Sequence, residues 1–223
     1  LITSVINIIM ISVIEAILWF KRGQESLIRS EKLEKENSQI RYETLKNQLN
    51  PHFLFNSLNV LSSLIKKDSD KAQNFVDEFS SVYRYTLDVL DKPVIDLREE
   101  LDFAKSFLFL QKIRFENAVD MEINVDASIL EYLVPPLAVQ TLLENAFKHN
   151  KASVDSPLRI IIYNEENILV VSNNLQPKIK GSDSKGVGLN NLRKRYELLG
   201  EKFPQFSITE KEYIAKIPLI NPE

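Results

Sequence analysis

Apolar residues are spread unevenly along this 223-residue chain, and their spacing changes character at several points. Residues 1–20 (LITSVINIIMISVIEAILWF) are almost unbroken in apolar character and reach the length of a membrane-crossing helix. Trp19-Phe20 followed by Lys21-Arg22 has the order of an aromatic interface and a cytoplasmic positive flank, with Glu15 the one charge inside. There is no basic leader and no small-residue cleavage site, which speaks against a signal peptide; a buried core helix is the remaining alternative. The sequence does not begin with methionine, and a sensor region or further spans are expected before residue 1. Residues 21–47 form a polar, proline-free linker. Glu31, Lys32, Glu34, Lys35 and Glu36 there give the i,i+4 pairs of a solvated signalling helix. Leu33 and Ile40 make a poor heptad seam, so pairing of this stretch with a second copy is weakly specified.

A sharper pattern starts at Asn50-Pro51. The proline either kinks a running helix or begins a new one, with Asn50 as N-cap. At helical spacing Leu54, Leu58, Leu61 and Ile65 fall on one side, and His52, Asn56, Asn59 and Ser63 on the opposite side. This predicts a helix to about Lys67 with His52 on a polar, solvent-facing stripe. Asp68-Ser69-Asp70 reads as a turn. Phe75, Phe79, Val82, Thr86 and Leu90 then carry a second helix over about 71–90. Two such helices bury too little alone, and dimerised they make a four-helix bundle.

Past Pro93 the period alternates. A third helix is predicted over 97–115, begun by Asp96, then a strand over 121–125 and a helix opened by Pro135-Pro136 and running to about His149. Strand pairs follow at 159–163 with 168–172, and at 206–209 with 213–217. Between them lie a loop over 174–187 and a helix over 189–199 that ends at Gly200. The predicted fold is thus a membrane helix (1–20), a helical linker (21–47), an all-α dimerisation hairpin (48–92) and an α+β sandwich (93–223).

Composition narrows the chemistry. The net charge is −3, from 28 basic and 31 acidic residues, and gives no nucleic-acid footprint. The chain has no cysteine, which excludes a disulfide scaffold, a cysteine–zinc site and a thiol nucleophile. It has two histidines, His52 and His149, each inside a recognisable motif.

Asn50-Pro51-His52-Phe53-Leu54-Phe55-Asn56, running on through Leu58-Asn59, closely resembles the phosphoacceptor region of the LytS/YehU-type sensor histidine kinases, membrane proteins that join such a hairpin to an ATP-binding domain. A neutral imidazole is a competent nucleophile at cytoplasmic pH. The resemblance implies that His52 is phosphorylated by ATP, and that Asn56 serves in dephosphorylating a partner. Other kinase families place an acid directly after the histidine; here that position is Phe53, and no base is assigned. Glu144-Asn145-Ala146-Phe147-Lys148-His149-Asn150 resembles the N-box of the GHKL (Bergerat) ATPase fold, shared with gyrase and MutL. It implies Asn145 as Mg²⁺ ligand, Lys148 on a phosphate and His149 beside the nucleotide. In the ATPases of that fold a base lies one turn before the asparagine; here the residue is Thr141, which suits a kinase. Gly186-Val187-Gly188-Leu189 resembles the second glycine box, whose backbone amides approach phosphate at a helix N-terminus. The preceding loop is the expected ATP lid, with Lys180 or Lys185 reaching a phosphate.

One motif departs from the pattern. Where the fold has Asp-x-Gly-x-Gly, this chain has Asn173-Asn174-Leu175-Gln176-Pro177. Asn173 stands where an acid reads the adenine amine, and since an amide can offer either oxygen or N–H₂, modest ATP affinity and poor discrimination against GTP are expected. The resemblance implies a homodimeric kinase that uses Mg²⁺ and ATP. It implies as partner a response regulator, in this family often one with a LytTR DNA-binding domain, and it places the catalytic part on the cytoplasmic side of the plasma membrane. A GHKL ATPase without phosphohistidine and a nucleotide-binding pseudokinase scaffold are the alternatives.

Overall fold

The computed structural model describes residues 51–89, 91–178, 187–200 and 202–222. The membrane helix over 1–20, the linker, Leu90, Lys180, Lys185 and Gly186 lie outside the described residues. No helix among the described residues is long and apolar enough to cross a membrane.

Helix α1 spans Pro51–Lys67 among the described residues. Asp68 is more than a turn residue. Its side chain accepts from the Lys71 amide at 3.0 Å and caps α2 (Ser69–Asp88), which therefore starts two residues before the predicted Lys71. Phe53 of α1 stacks on Phe79 and Tyr83 of α2, at ring-centroid distances of 6.1 and 6.3 Å, so the two helices run antiparallel. Phe53 also stacks on Phe107 of α3 (Leu97–Phe115) at 5.4 Å, which seats the hairpin on the rest of the unit.

The two predicted faces of α1 need a correction. The face packed within the chain is a third one, carrying Phe53, Ser57, Val60 and Leu64, with Leu61 at its margin. It lies between the polar stripe and the leucine stripe. The leucine stripe is left largely open: Leu58 is 47% and Ile65 62% exposed, and Phe55 beside it 65%. Apolar spacing marked both surfaces without telling which one α2 takes.

The second part is a five-stranded sheet of order β2-β4-β5-β7-β6. Its strands are β2 (Val119–Asn124), β4 (Leu158–Glu165), β5 (Ile168–Asn174), β6 (Gln205–Ile208) and β7 (Glu212–Pro218). Only β2 and β4 pair in parallel, Val119 opposite Leu158, and the chain between them contains the crossover that parallel pairing requires. A small extra sheet pairs β1 (Ile95–Asp96) with β3 (Leu133–Val134). Leu158, Ile160, Ile162, Leu169, Val171, Ala215 and Ile217 share one core with Leu142, Leu143 and Ala146 of α4 (Ala138–His149) and with Leu192 and Tyr196 of α5 (Val187–Leu199). Gly200, at φ +70°, ends α5 in the left-handed conformation a side chain rarely takes.

The double proline does not open α4. Leu137 takes a left-handed conformation, φ 60°, and the helix starts at Ala138. Its first amides are capped from a distance by Glu100 of α3, which accepts from the Leu137 and Val139 amides at 2.5 and 2.9 Å.

Candidate active site

Helix α4 presents Thr141, Asn145, Lys148 and His149 at helical spacing along one side, opposite the core residues Leu143 and Ala146. Asn145 is half-buried, and Lys148 and His149 are exposed. The Thr141 hydroxyl donates to the Leu137 carbonyl at 2.7 Å, and the position carries no carboxylate to act as a base. Glu144 accepts from the Gln140 amide at 3.0 Å, in line with a structural role.

Gly188, in the first turn of α5, meets this side of α4. A methyl group added there would lie 3.2 Å from Thr141 Cγ2, closer than side chains comfortably approach. The glycine therefore lets the first described turn of α5 come close to the side of α4 that carries Thr141 and Asn145. Leu189, half-buried, packs against the core next to it. Gly188→Ala is expected to push α5 outward and weaken ATP binding several-fold. Thr141→Ser, which removes the opposing methyl and keeps the hydroxyl, is expected to restore it; nucleotide titration of the single and double variants reads both.

The departure from the glycine pattern has a physical counterpart. Instead of a flexible glycine turn, the end of β5 is clamped by side-chain amides. Asn174 accepts from the Arg159 amide at 2.8 Å and donates to the Pro157 carbonyl at 3.1 Å. Gln176 donates through its side chain to Pro157 at 2.8 Å and through its backbone to Asn150 Oδ1 at 2.8 Å. The Lys151 amide closes on the Gln176 carbonyl at 2.7 Å. This stretch is therefore fastened to the C-terminal end of α4. Lys178 adds to it, its ammonium donating to the carbonyls of Phe147 and Lys148 at 2.8 and 3.0 Å, where a cation suits the helix C-terminus. The Asn150, Asn174 and Gln176 clamps were not foreseen from the sequence; three amides around a missing glycine pair were their only trace.

Asn173 is buried, and its Nδ2 donates to the Asn174 carbonyl at 2.7 Å. That donation engages one end of the amide within the chain. The ring of His149 is held below the ordinary histidine range, first by partial burial and then by Lys148 and Lys178, and is neutral at pH 7. His52 falls in the first turn of α1, and Asn56, half-buried, one turn on.

The Asn145 amide suits Mg²⁺, which takes oxygen ligands and keeps most of its own waters. Among the described residues no group of three or more acidic or histidine side chains could hold a metal ion.

The histidine kinase family model matches residues 40–119. Over 198 residues the chain is 27% identical to the sensor protein LytS of Oceanobacillus iheyensis, covering 80% of this chain and 34% of that protein. Over 106 residues it is 37% identical to the sensor histidine kinase/phosphatase LytS of Staphylococcus aureus, covering 48% of this chain and 18% of that protein. Among solved structures, the cytoplasmic segment of the histidine kinase QseC is similar at a TM-score of 0.40 and 18% identity, over 67% of this chain and 94% of that one. The chain spans about a third or less of the length of these two curated relatives.

Proposed function

We propose that this chain belongs to the LytS-type sensor histidine kinases, on the family-model match and the likeness to the two LytS proteins, and that it moves the γ-phosphoryl group of ATP onto His52 and then to an aspartate of a response regulator. The observation that carries this reading is the meeting of α4 and α5 at Thr141 and Gly188, within the unit that seats the hairpin on Phe107.

In the first step an imidazole nitrogen of His52 attacks the γ-phosphorus, the bond to the ADP oxygen breaks, and the ring gives up its proton to solvent. Asn145 would hold Mg²⁺, which when bound would neutralise charge on the phosphates; Lys148 and the amides at Gly188 and Leu189 add to that neutralisation, as phosphoryl transfer requires. Lys185 and Gly186 complete the phosphate site in this reading. His149, neutral, lies beside the base. Asn173 meets the base with an amide in place of an acid, so ATP affinity is modest and discrimination against GTP poor. Asn56 orients the water that removes phosphate from the regulator. An ATPase without phosphohistidine is disfavoured by Thr141, which stands where the ATPases of this fold have their base and carries no carboxylate. With Mg²⁺ and γ-labelled ATP the protein should acquire acid-labile, alkali-stable label and lose it to a cognate regulator, one with a LytTR domain for choice. ATP consumed with no label on the protein would favour the ATPase reading instead.

The homodimer belongs to the same proposal, as does anchoring of the catalytic part to the plasma membrane through residues 1–20. Covering Leu58 and Ile65 is worth up to about 1.5–3 kcal/mol for each fully buried side chain, and a second copy presents the same stripe. Leu58→Glu with Ile65→Glu is expected to convert dimer to monomer in sedimentation while ATP affinity stays at the parent value.

A further inference from the structure

Glu100 sits in the first turn of α3, where neighbouring Glu99 faces solvent, yet it is fully buried. Three elements meet on its carboxylate. The Tyr85 hydroxyl of α2 donates to Oε1 at 2.7 Å. The Leu137 amide donates to the same oxygen and the Val139 amide to Oε2, both at the start of α4. Arg195 of α5 faces it electrostatically and donates to the Pro136 carbonyl next door. The Tyr85 ring is held in place by Phe103, stacked at 4.8 Å.

This arrangement is more than a helix cap. A local N-cap would bind α4 to its own chain neighbours. Here the left-handed Leu137 leaves the first amides of α4 open, and a carboxylate from another helix closes them. The same carboxylate takes the hydroxyl of the phosphoacceptor hairpin. We propose that Glu100 is a positioning residue that couples the hairpin to the nucleotide-binding helix: how α2 presents Tyr85 sets where α4, and Asn145 on it, stands. This rests on the reading of α4 as the nucleotide helix.

The chemistry gives the coupling a signature. The ionised carboxylate accepts all three hydrogen bonds; once protonated, it loses the charge that strengthens the bonds from the Leu137 and Val139 amides, and the Tyr85 hydroxyl must turn to accept where it had donated. Burial pushes Glu100 up to about 7, against the pull of Tyr85, the Val139 and Leu137 amides and Arg195. Of the groups facing it, Tyr85 is itself raised, by burial and by Glu100, and keeps its proton; Arg195, lowered by burial, is steadied by Glu100; Glu99 lies on the same helix. Lowering the pH through the neutral range therefore loosens the hold of Glu100 on the first amides of α4 and weakens nucleotide binding. Losing the Tyr85 hydroxyl removes a donor that favours the carboxylate, and moves that midpoint upward.

The test uses the whole dimeric protein and a non-hydrolysable ATP analogue with Mg²⁺, so that no phosphorylation is needed. Tyr85→Phe is expected to weaken analogue binding by about tenfold at neutral pH, the size of one hydrogen bond to a charged group. It should also shift the pH midpoint of binding upward; His52 and His149 are present in both proteins and cancel in the comparison. In a Glu100→Gln background Tyr85→Phe should add nothing. Equal affinity and an unmoved midpoint in Tyr85→Phe would overturn the proposal, as would additive losses in the double variant. Should Glu100→Gln not fold, the midpoint shift between parent and Tyr85→Phe decides alone. A parent that binds the analogue yet takes no label from ATP would refute the kinase reading and leave this binding cycle valid.

Discussion

His52→Gln protein is expected to bind Mg-ATP as the parent does and to take no label at all. The glutamine amide has the polarity of the imidazole and none of its nucleophilicity at neutral pH. His52 starts α1 and Asn145 and Gly188 lie on α4 and α5, so removing the acceptor leaves the nucleotide residues in place. The chain holds one other histidine, His149, exposed at the last turn of α4. Label persisting at the parent level after His52→Gln would move the acceptor there or to another side chain. Phosphoramidate label, read as acid-labile and alkali-stable counts beside a nucleotide titration of the same preparation, gives both halves of the result.

The second large effect is expected at Asn145. Asn145→Ala removes the amide oxygen from the half-buried side of α4 that Gly188 faces, and a methyl group offers Mg²⁺ nothing. Affinity for Mg-ATP should fall by about 10²-fold, the upper size of a single charge-assisted contact, and label with it. The dimer should survive, because the exposed stripe of α1 shares no residue with α4. Sedimentation and nucleotide titration of one sample separate these outcomes. An Asn145→Ala protein that labels like the parent would remove the N-box reading altogether.

Local signals carried the helices far. Proline at Pro51 and the run from Leu97 to Phe115 marked elements that the structure places at those residues. The pattern failed where a distant partner decides. No local rule places a buried carboxylate from α3 on the amides of Leu137 and Val139, so the start of α4 was read three residues early, at the prolines. Missing glycines after Asn173 suggested a defective pocket; the structure shows Asn174 and Gln176 holding that stretch by hydrogen bonds to Pro157, Arg159 and Asn150, partners 15 to 26 residues away. Two apolar faces on α1 were written in one helical period, and only packing against Phe79 and Phe107 tells them apart. For the site, the motif residues on α4 and at Gly188 were legible, because spacing on one helix and a glycine at a close approach are both properties of sequence.

The single parallel pairing in the sheet has a consequence for how the chain acquires its shape. The β4–β5 hairpin closes across Glu166 and Asn167, Glu166 taking a positive φ of 51°, and such hairpins form in about 1–10 μs. Joining β2 to β4 requires Val119 to find Leu158 with the whole of α4 between them. The entropy of closing that longer loop is spent before any contact rewards it. The antiparallel partner of β5 on its other side is no closer: Asn174 meets Glu212 across 38 residues, against 39 from Val119 to Leu158. The β4–β5 hairpin is thus the one local start, and two long closures of similar cost, one carrying α4 and the other α5, bring in the two helices that meet at Thr141 and Gly188.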